Sequence, residues 1–151
     1  VTGSFLLPFT AYFSLLSTRV VLQRLATRTV LGTDSPAIPM TKPGAESSTN
    51  TQSSTSNEAL LVASRAQANF AEYVPLALLV AAVAELNGAH KKALTLSLSG
   101  LLAARIAHVE MGLRRPGSTG IGRTIGSYGT LGVMGFLAGY AGYLVKGYWG
   151  Y

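Results

Sequence analysis

Three polar side chains recur at helical spacing beside an apolar stretch of the chain. Arg65, Asn69 and Glu72 stand at positions i, i+4 and i+7, which places all three on one face of a helix. The segment runs directly into residues 73–84, which are uninterrupted apolar sequence. Ionisable residues at membrane depth are costly, so they usually face a partner or a wet cavity. The spacing therefore predicts a polar helix face that binds something.

A second polar set lies further along the chain. Arg105 and His108, at i and i+3, share one face of the next predicted helix, and Arg123 opens the helix after that. Arginines bind carboxylates in bidentate fashion, Glu72 can bind an ammonium, and Asn69 can bond a peptide backbone. Together the six side chains suit a small ligand that carries carboxylates and an amine.

Simpler roles are open for these residues. Glu72 can pair with Arg65 or Arg105 and merely tie the helices together. Arg65 can extend its charged end to the membrane surface. His108 alone is more often a hydrogen-bonded interior histidine than a catalyst. The convergence of all six favours the ligand site.

Four apolar segments position these side chains. They predict an all-α fold, an integral membrane four-helix bundle, with spans at about residues 4–24, 59–86, 92–113 and 123–146 of a single domain covering 1–151. Asn87-Gly88 and residues 114–118 (RRPGS) supply helix stops. Residues 33–57 are rich in serine and threonine and predict a flexible loop, because they bury too little apolar surface to offset ordering.

The composition indicates the bilayer as a partner. Hydrophobic residues make up 48% of the 151 residues and charged residues only 12%, against about 25% charged in soluble domains. The chain has no cysteine and two histidines, which excludes a disulfide scaffold, a thiolate nucleophile and a zinc site. The net charge is +6, but the basic residues lie scattered at the edges of apolar segments. We therefore expect no metal and no nucleic acid.

The basic residues also predict a topology. In a four-span protein the first and third loops share one side, and nine of the twelve basic residues lie there or at the adjoining helix ends. The positive-inside rule makes that side cytosolic and places both termini on the other side. A cleaved signal peptide is the alternative for the first segment, but its basic residues follow the apolar run instead of preceding it.

Glycines recur every three or four residues through the fourth segment. They are Gly122, Gly126, Gly129, Gly132, Gly135, Gly139 and Gly142. Small residues at this spacing let membrane helices approach closely, so we expect this stripe to serve helix packing.

The segment RAQANFAEYVP, residues 65–75, resembles the signature of the MAPEG family, the membrane-associated proteins in eicosanoid and glutathione metabolism. The continuation LALLVAAVAELNGA, the motif Arg105-Ile-Ala-His108 and the later Arg123 are similar to the same family's following helices. The sequence NFAEYVPLALLVAAVAELNG is closer to the family's bacterial and fungal branch than to the animal enzymes. The resemblance covers most of the chain.

The resemblance implies a homotrimer that binds glutathione between neighbouring subunits near the cytosolic face. By position, Arg65, Asn69, Glu72, Arg105 and His108 would bind glutathione. Arg123 would be the catalytic residue, stabilising the reactive thiolate with its fixed positive charge. Some family enzymes place a tyrosine seven residues after the arginine that matches Arg105, and this chain has Gly112 there.

These inferences lead to a function and two alternatives. The first is a glutathione-dependent membrane enzyme, a transferase or peroxidase, acting on a lipophilic small-molecule electrophile. The second is a non-catalytic structural or accessory subunit with the same fold. The third is a small transporter, but the sequence shows neither the broken helices nor the internal repeats expected of carriers. We expect a multi-pass protein of the endoplasmic reticulum if the source is eukaryotic, as the serine-rich segment favours, or of the inner membrane if it is bacterial.

Overall fold

The computed structural model describes residues 1–28, 50–114 and 121–149, and all regular structure in those residues is helical. Four α-helices follow one another: α1 (Thr2–Thr27), α2 (Asn50–Leu86), α3 (Lys91–Ile106) and α4 (Ile121–Val145). A π-helical segment, Ala107–Leu113, continues α3, and a 3₁₀ turn, Lys146–Trp149, ends α4. The predicted all-α four-helix fold is confirmed.

The helix α2 begins earlier than the sequence suggested. It starts at Asn50, so residues 50–57 of the predicted flexible loop are helical, and that part of the prediction is wrong. Residues 50–57 contain no glycine or proline, and a helix that already exists gains one hydrogen bond for each residue added. The rest of the loop, 33–49, and residues 115–118 of the predicted turn lie outside the described residues.

The stop between α2 and α3 is the predicted one. Gly88 has a φ of +84°, in the left-handed region where glycine carries no steric penalty. The amide of Ala89 donates to the carbonyl oxygen of Ala84 at 3.0 Å, which closes the end of α2. α3 begins two residues later, so this short turn joins α2 and α3 as antiparallel neighbours.

An aromatic cluster holds α1 against α2. The ring of Phe70, which is 4% exposed, lies 6.2 Å from Phe9, 5.6 Å from Tyr12 and 6.1 Å from Phe13, between ring centroids. Aromatic pairs at such separations add roughly 0.5–1.5 kcal/mol each beyond the area they bury. Phe70 follows Asn69 directly, so this cluster orients the polar face of α2 as well.

The glycine stripe of α4 divides into two halves. A Cβ added at Gly122 would lie 2.5 Å from the carbonyl oxygen of Ala107, and one added at Gly126 would lie 2.7 Å from that of Ala104. The first half therefore packs tightly on α3 and the π segment, as predicted. At Gly132, Gly135, Gly139 and Gly142 an added Cβ would meet open space within the described part of the protomer.

The surface of the bundle is strongly apolar. Large side chains such as Leu7, Leu25, Leu79 and Leu96 are between 63% and 79% exposed. Among the described residues, Thr2–Thr27 and Asn57–Leu86 are long and apolar enough to cross a membrane on their own. α3 has only 16 residues before the π segment. An exposed apolar surface of this extent fits contact with lipid rather than water.

Candidate functional site

The polar face of α2 points outward from the protomer. Arg65 and Glu72 are exposed, and the amide of Asn69 donates to the carbonyl oxygen of Arg65 at 3.1 Å, one turn back in the same helix. Within the described residues no ion pair involves Arg65 or Glu72. The alternative in which Glu72 pairs with Arg65 or Arg105 is therefore wrong for the single protomer.

Arg105 instead lies inside the bundle. Its side chain is 3% exposed, and one Nη donates to the carbonyl oxygen of Gly126 on α4 at 3.0 Å. The guanidinium carbon lies 5.3 Å from the centroid of the Tyr73 ring, a cation–π contact that links α3 to α2. The buried Nε has no hydrogen-bond partner among the described residues. Arg105 thus retains one donor for a further acceptor.

His108 lies just beyond Arg105, in the π segment, and is 5% exposed. Its Nδ1–H donates to the carbonyl oxygen of Arg123 at 3.1 Å, since a carbonyl can only accept. The hydroxyl of Ser127 lies 3.4 Å from the same nitrogen. In neutral His108 this bond fixes the proton on Nδ1 and leaves Nε2 as a hydrogen-bond acceptor.

Arg123 stands in the first turn of α4 and its side chain is exposed. Its backbone carbonyl accepts a hydrogen bond from His108, and Gly112 packs closely against its backbone nitrogen. A Cβ added at Gly112 would lie 2.5 Å from the backbone nitrogen of Arg123 and 2.8 Å from its Cα. Only glycine permits this approach, so Gly112 is needed for α4 to pack this closely on the π segment.

The sequence analysis missed a further cluster around Glu110. This carboxylate binds Arg19 of α1 at 2.5 Å and Arg114 at 2.6 Å, and the Tyr12 hydroxyl lies 3.4 Å from it. The pair Glu110–Arg114 stands at i, i+4, a spacing that the sequence displays. The partnership with Arg19 joins residues 91 positions apart and leaves no local signal.

Five of the six predicted residues therefore form two groups in one protomer, and the sixth, Arg123, has its side chain exposed at the start of α4. Arg65, Asn69 and Glu72 lie on the outer face of α2, whereas Arg105 and His108 face α4 and hold it at Gly126 and Arg123. Tyr73 connects the groups, because it follows Glu72 and its ring lies against Arg105. Sequence reasoning missed Tyr73, since an aromatic residue in an apolar run gives no polar signal.

The donor set fits a small anionic ligand that also carries an amine. Arg65 can bind a carboxylate, Glu72 can bind an ammonium, Nε2 of His108 can accept a hydrogen bond, and the buried Nε of Arg105 is a donor without a partner among the described residues.

Comparison with known proteins assigns the chain to a family. The sequence model of the MAPEG family matches residues 5–143, which include all six candidate residues and all four helices or most of each. No curated protein and no solved structure matches the chain. The match spans most of the 151 residues and agrees with the all-α membrane fold. The chain belongs to the MAPEG family.

Proposed function

We propose that this protein is a glutathione-dependent membrane enzyme, of transferase or peroxidase type, that acts on lipophilic electrophiles. Its family supports the coarser statement, a membrane protein of glutathione and eicosanoid metabolism. The finer statement rests on the charged face of α2 and on the cationic groups beside it.

The exposed charges of α2 carry the proposal. Arg65 and Glu72 share their helix face with exposed Leu61, Leu76 and Leu79. A face of this kind suits lipid or another helix, yet charged groups at membrane depth require a partner. Within the described protomer neither charge has an ion-pair partner. A ligand held against this face supplies both partners at once.

A homotrimer completes the site in this proposal. In one protomer Arg65 and Glu72 lie on the outer surface of α2, so a ligand held against them is enclosed only where a second subunit covers that face. The open glycines Gly132 to Gly142 of α4 leave room for close approach of a neighbouring helix. Native mass spectrometry in mild detergent is expected to give three copies, and a monomer at all concentrations would contradict this arrangement.

Arg123 is the proposed activating residue. Its side chain is exposed at the start of α4, and its fixed positive charge beside a bound thiol would favour the thiolate over the thiol. Bound glutathione supplies the sulfur that bonds to the electrophilic carbon, and the leaving group departs with the bonding electron pair. The lipophilic substrate reaches the site through the apolar surface of the bundle.

The proposal places all four helices across the membrane, with both termini on the non-cytosolic side. The membrane is the endoplasmic reticulum for a eukaryotic source and the inner membrane for a bacterial one. Because the chain has no cysteine, single cysteines introduced at Ser48 and Lys92 can be labelled in intact vesicles. Labelling of the two positions from opposite sides is expected, and labelling from the same side would contradict the topology.

A non-catalytic MAPEG subunit is the second candidate, and Gly112 favours it. The close approach of Arg123 leaves no room for a side chain at residue 112, so no hydroxyl can be supplied from there. Such a protein would keep the fold and the ligand site without turnover.

A conjugation assay separates the two candidates. The purified protein in detergent or lipid nanodiscs is mixed with a general aromatic electrophile, with and without glutathione. The enzyme proposal predicts conjugate formation above the uncatalysed rate and its loss in Arg123→Leu. A rate equal to the uncatalysed one, from protein that binds glutathione, would support the non-catalytic subunit.

A further inference from the structure

The Glu110 cluster joins α1 to the π segment. The two carboxylate oxygens of Glu110 bind different arginines, Oε1 with Arg19 of α1 and Oε2 with Arg114. Tyr12, also of α1, directs its hydroxyl toward Oε1 at 3.4 Å. Glu110 and Arg19 are each about one-third exposed, so their ion pair is partly shielded from solvent.

The segment that carries Glu110 has an uncommon backbone. The amide of Arg114 donates to the carbonyl oxygen of Val109, five residues back, as a π-helix requires. Such helices are rare, mostly short and frequent at functional sites. Here the ion pair of Glu110 with Arg19 is a contact from another helix to the segment. If the π segment returned to α-helical bonding, the residues in it would turn relative to α4.

Two residues of this segment set the position of Arg123. His108, two residues before Glu110, donates to the carbonyl oxygen of Arg123, and Gly112, two residues after it, lies against the Arg123 amide. Any rotation of the π segment would therefore move both contacts. Glu110 contacts neither Arg123 nor the ligand-binding groups in the described structure.

We propose that Glu110 is a positioning residue for Arg123. Its ion pairs with Arg19 and Arg114 hold the π segment in the geometry that fixes the start of α4. The functional part of this inference rests on the proposed role of Arg123, whereas the structural part does not.

A simple tether between α1 and the bundle would behave differently. Glu85, near the end of α2, also binds α1, by accepting a hydrogen bond from the backbone amide of Thr2 at 2.8 Å. α1 is held independently by the aromatic cluster around Phe70. Like Glu110→Gln, Glu85→Gln removes the negative charge of a carboxylate that binds α1. Among the described residues Glu85 forms no hydrogen bond with the π segment or α4, so this variant is a matched control.

The test compares Glu110→Gln, Glu85→Gln and the pair Arg19→Met and Arg19→Lys in the full chain. Amide hydrogen exchange is measured over residues 107–114 and 121–130. The pH midpoint of thiolate formation is read from the ultraviolet absorbance of bound glutathione. We expect Glu110→Gln and Arg19→Met to raise exchange in both ranges by about tenfold. In the same two variants the thiolate midpoint should move to higher pH, and kcat should fall about tenfold with KM for glutathione nearly unchanged.

Two variants serve as controls. Arg19→Lys keeps the charge and should resemble the wild type, as should Glu85→Gln. If Glu110→Gln lowers Tm but matches Glu85→Gln in exchange and in thiolate midpoint, Glu110 is a tether and the inference is wrong. If the wild type never ionises glutathione, the proposed function fails, and the exchange data alone then decide the positioning role. If Glu110→Gln does not fold, the contrast between Arg19→Met and Arg19→Lys decides it.

Discussion

His108 donates a hydrogen bond from Nδ1 to the backbone carbonyl oxygen of Arg123 at 3.1 Å. The bond connects His108, which is predicted to bind glutathione, to Arg123, which is predicted to stabilise the glutathione thiolate. It also divides the imidazole between two tasks, since Nδ1 serves the fold and Nε2 remains an acceptor.

This division makes His108 testable with two substitutions. In His108→Asn the side-chain amide can replace Nδ1–H, so stability should stay near that of the wild type while glutathione affinity falls. In His108→Ala the bond to Arg123 is lost, and the free energy of unfolding should fall by about 1–3 kcal/mol as well. Thermal unfolding and glutathione titration measure the two effects. Equal glutathione affinity in the wild type and His108→Asn would show that Nε2 does not contribute to glutathione binding.

The two halves of the glycine stripe should respond oppositely to alanine. Gly126→Ala puts a methyl group 2.7 Å from the carbonyl oxygen of Ala104, and overpacking of this kind costs about 1–3 kcal/mol. In the dissociated protomer Gly132→Ala meets nothing and, as the matched control, should leave the protomer's Tm unchanged or slightly higher. Similar Tm values for the two variants would show that α4 does not pack on α3 as described.

Introducing the tyrosine that some family enzymes carry should not supply a catalytic hydroxyl at residue 112. A Cβ at residue 112 already conflicts with the Arg123 backbone, so Gly112→Tyr must displace α4 or the π segment. We expect a lower Tm and weaker glutathione binding, with Gly112→Ala showing a smaller change in the same direction. A stable Gly112→Tyr variant with increased turnover would contradict the close packing of residues 112 and 123.

Arg123 should affect the ionisation of the thiol more than binding. In Arg123→Leu the fixed positive charge is lost, so the thiolate absorbance of bound glutathione should appear only at higher pH. Arg123→Lys keeps the charge and should give an intermediate midpoint. Because the other proposed ligands remain, affinity for glutathione should weaken only modestly. An unchanged midpoint in Arg123→Leu would assign activation to another group.

Much of this architecture follows from the sequence, because apolar length and helix stops act locally. The four helices, the stop at Gly88 and the shared face of Arg65 and Glu72 are all consequences of spacing along one segment. The partner of each polar residue is a tertiary property. Nothing in the sequence indicates that Arg105 would bond Gly126, or that Arg19 would reach Glu110 across 91 positions.

The π segment was also beyond sequence reasoning. A regular helix would place Gly112, seven residues after Arg105, on nearly the same face as Arg105. The i→i−5 bonding after Ile106 changes that register and turns Gly112 toward the Arg123 backbone. The polar composition of residues 50–57 predicts a loop, but these residues extend α2 because they directly adjoin it.

The central claim is that the exposed carboxylate of Glu72 helps to bind glutathione, and a thermal-shift comparison tests it most directly. Millimolar glutathione should raise the Tm of the wild type, because a ligand that binds only the folded state stabilises it. Loss of a charge-assisted hydrogen bond costs about 1.5–3 kcal/mol, so Glu72→Gln should reduce affinity about tenfold to a hundredfold and remove most of the shift. Glu58→Gln removes a charge from an exposed position earlier in the same helix and should retain the full shift. No stabilisation of the wild type by glutathione, or an equal shift in Glu72→Gln and the wild type, would contradict the account.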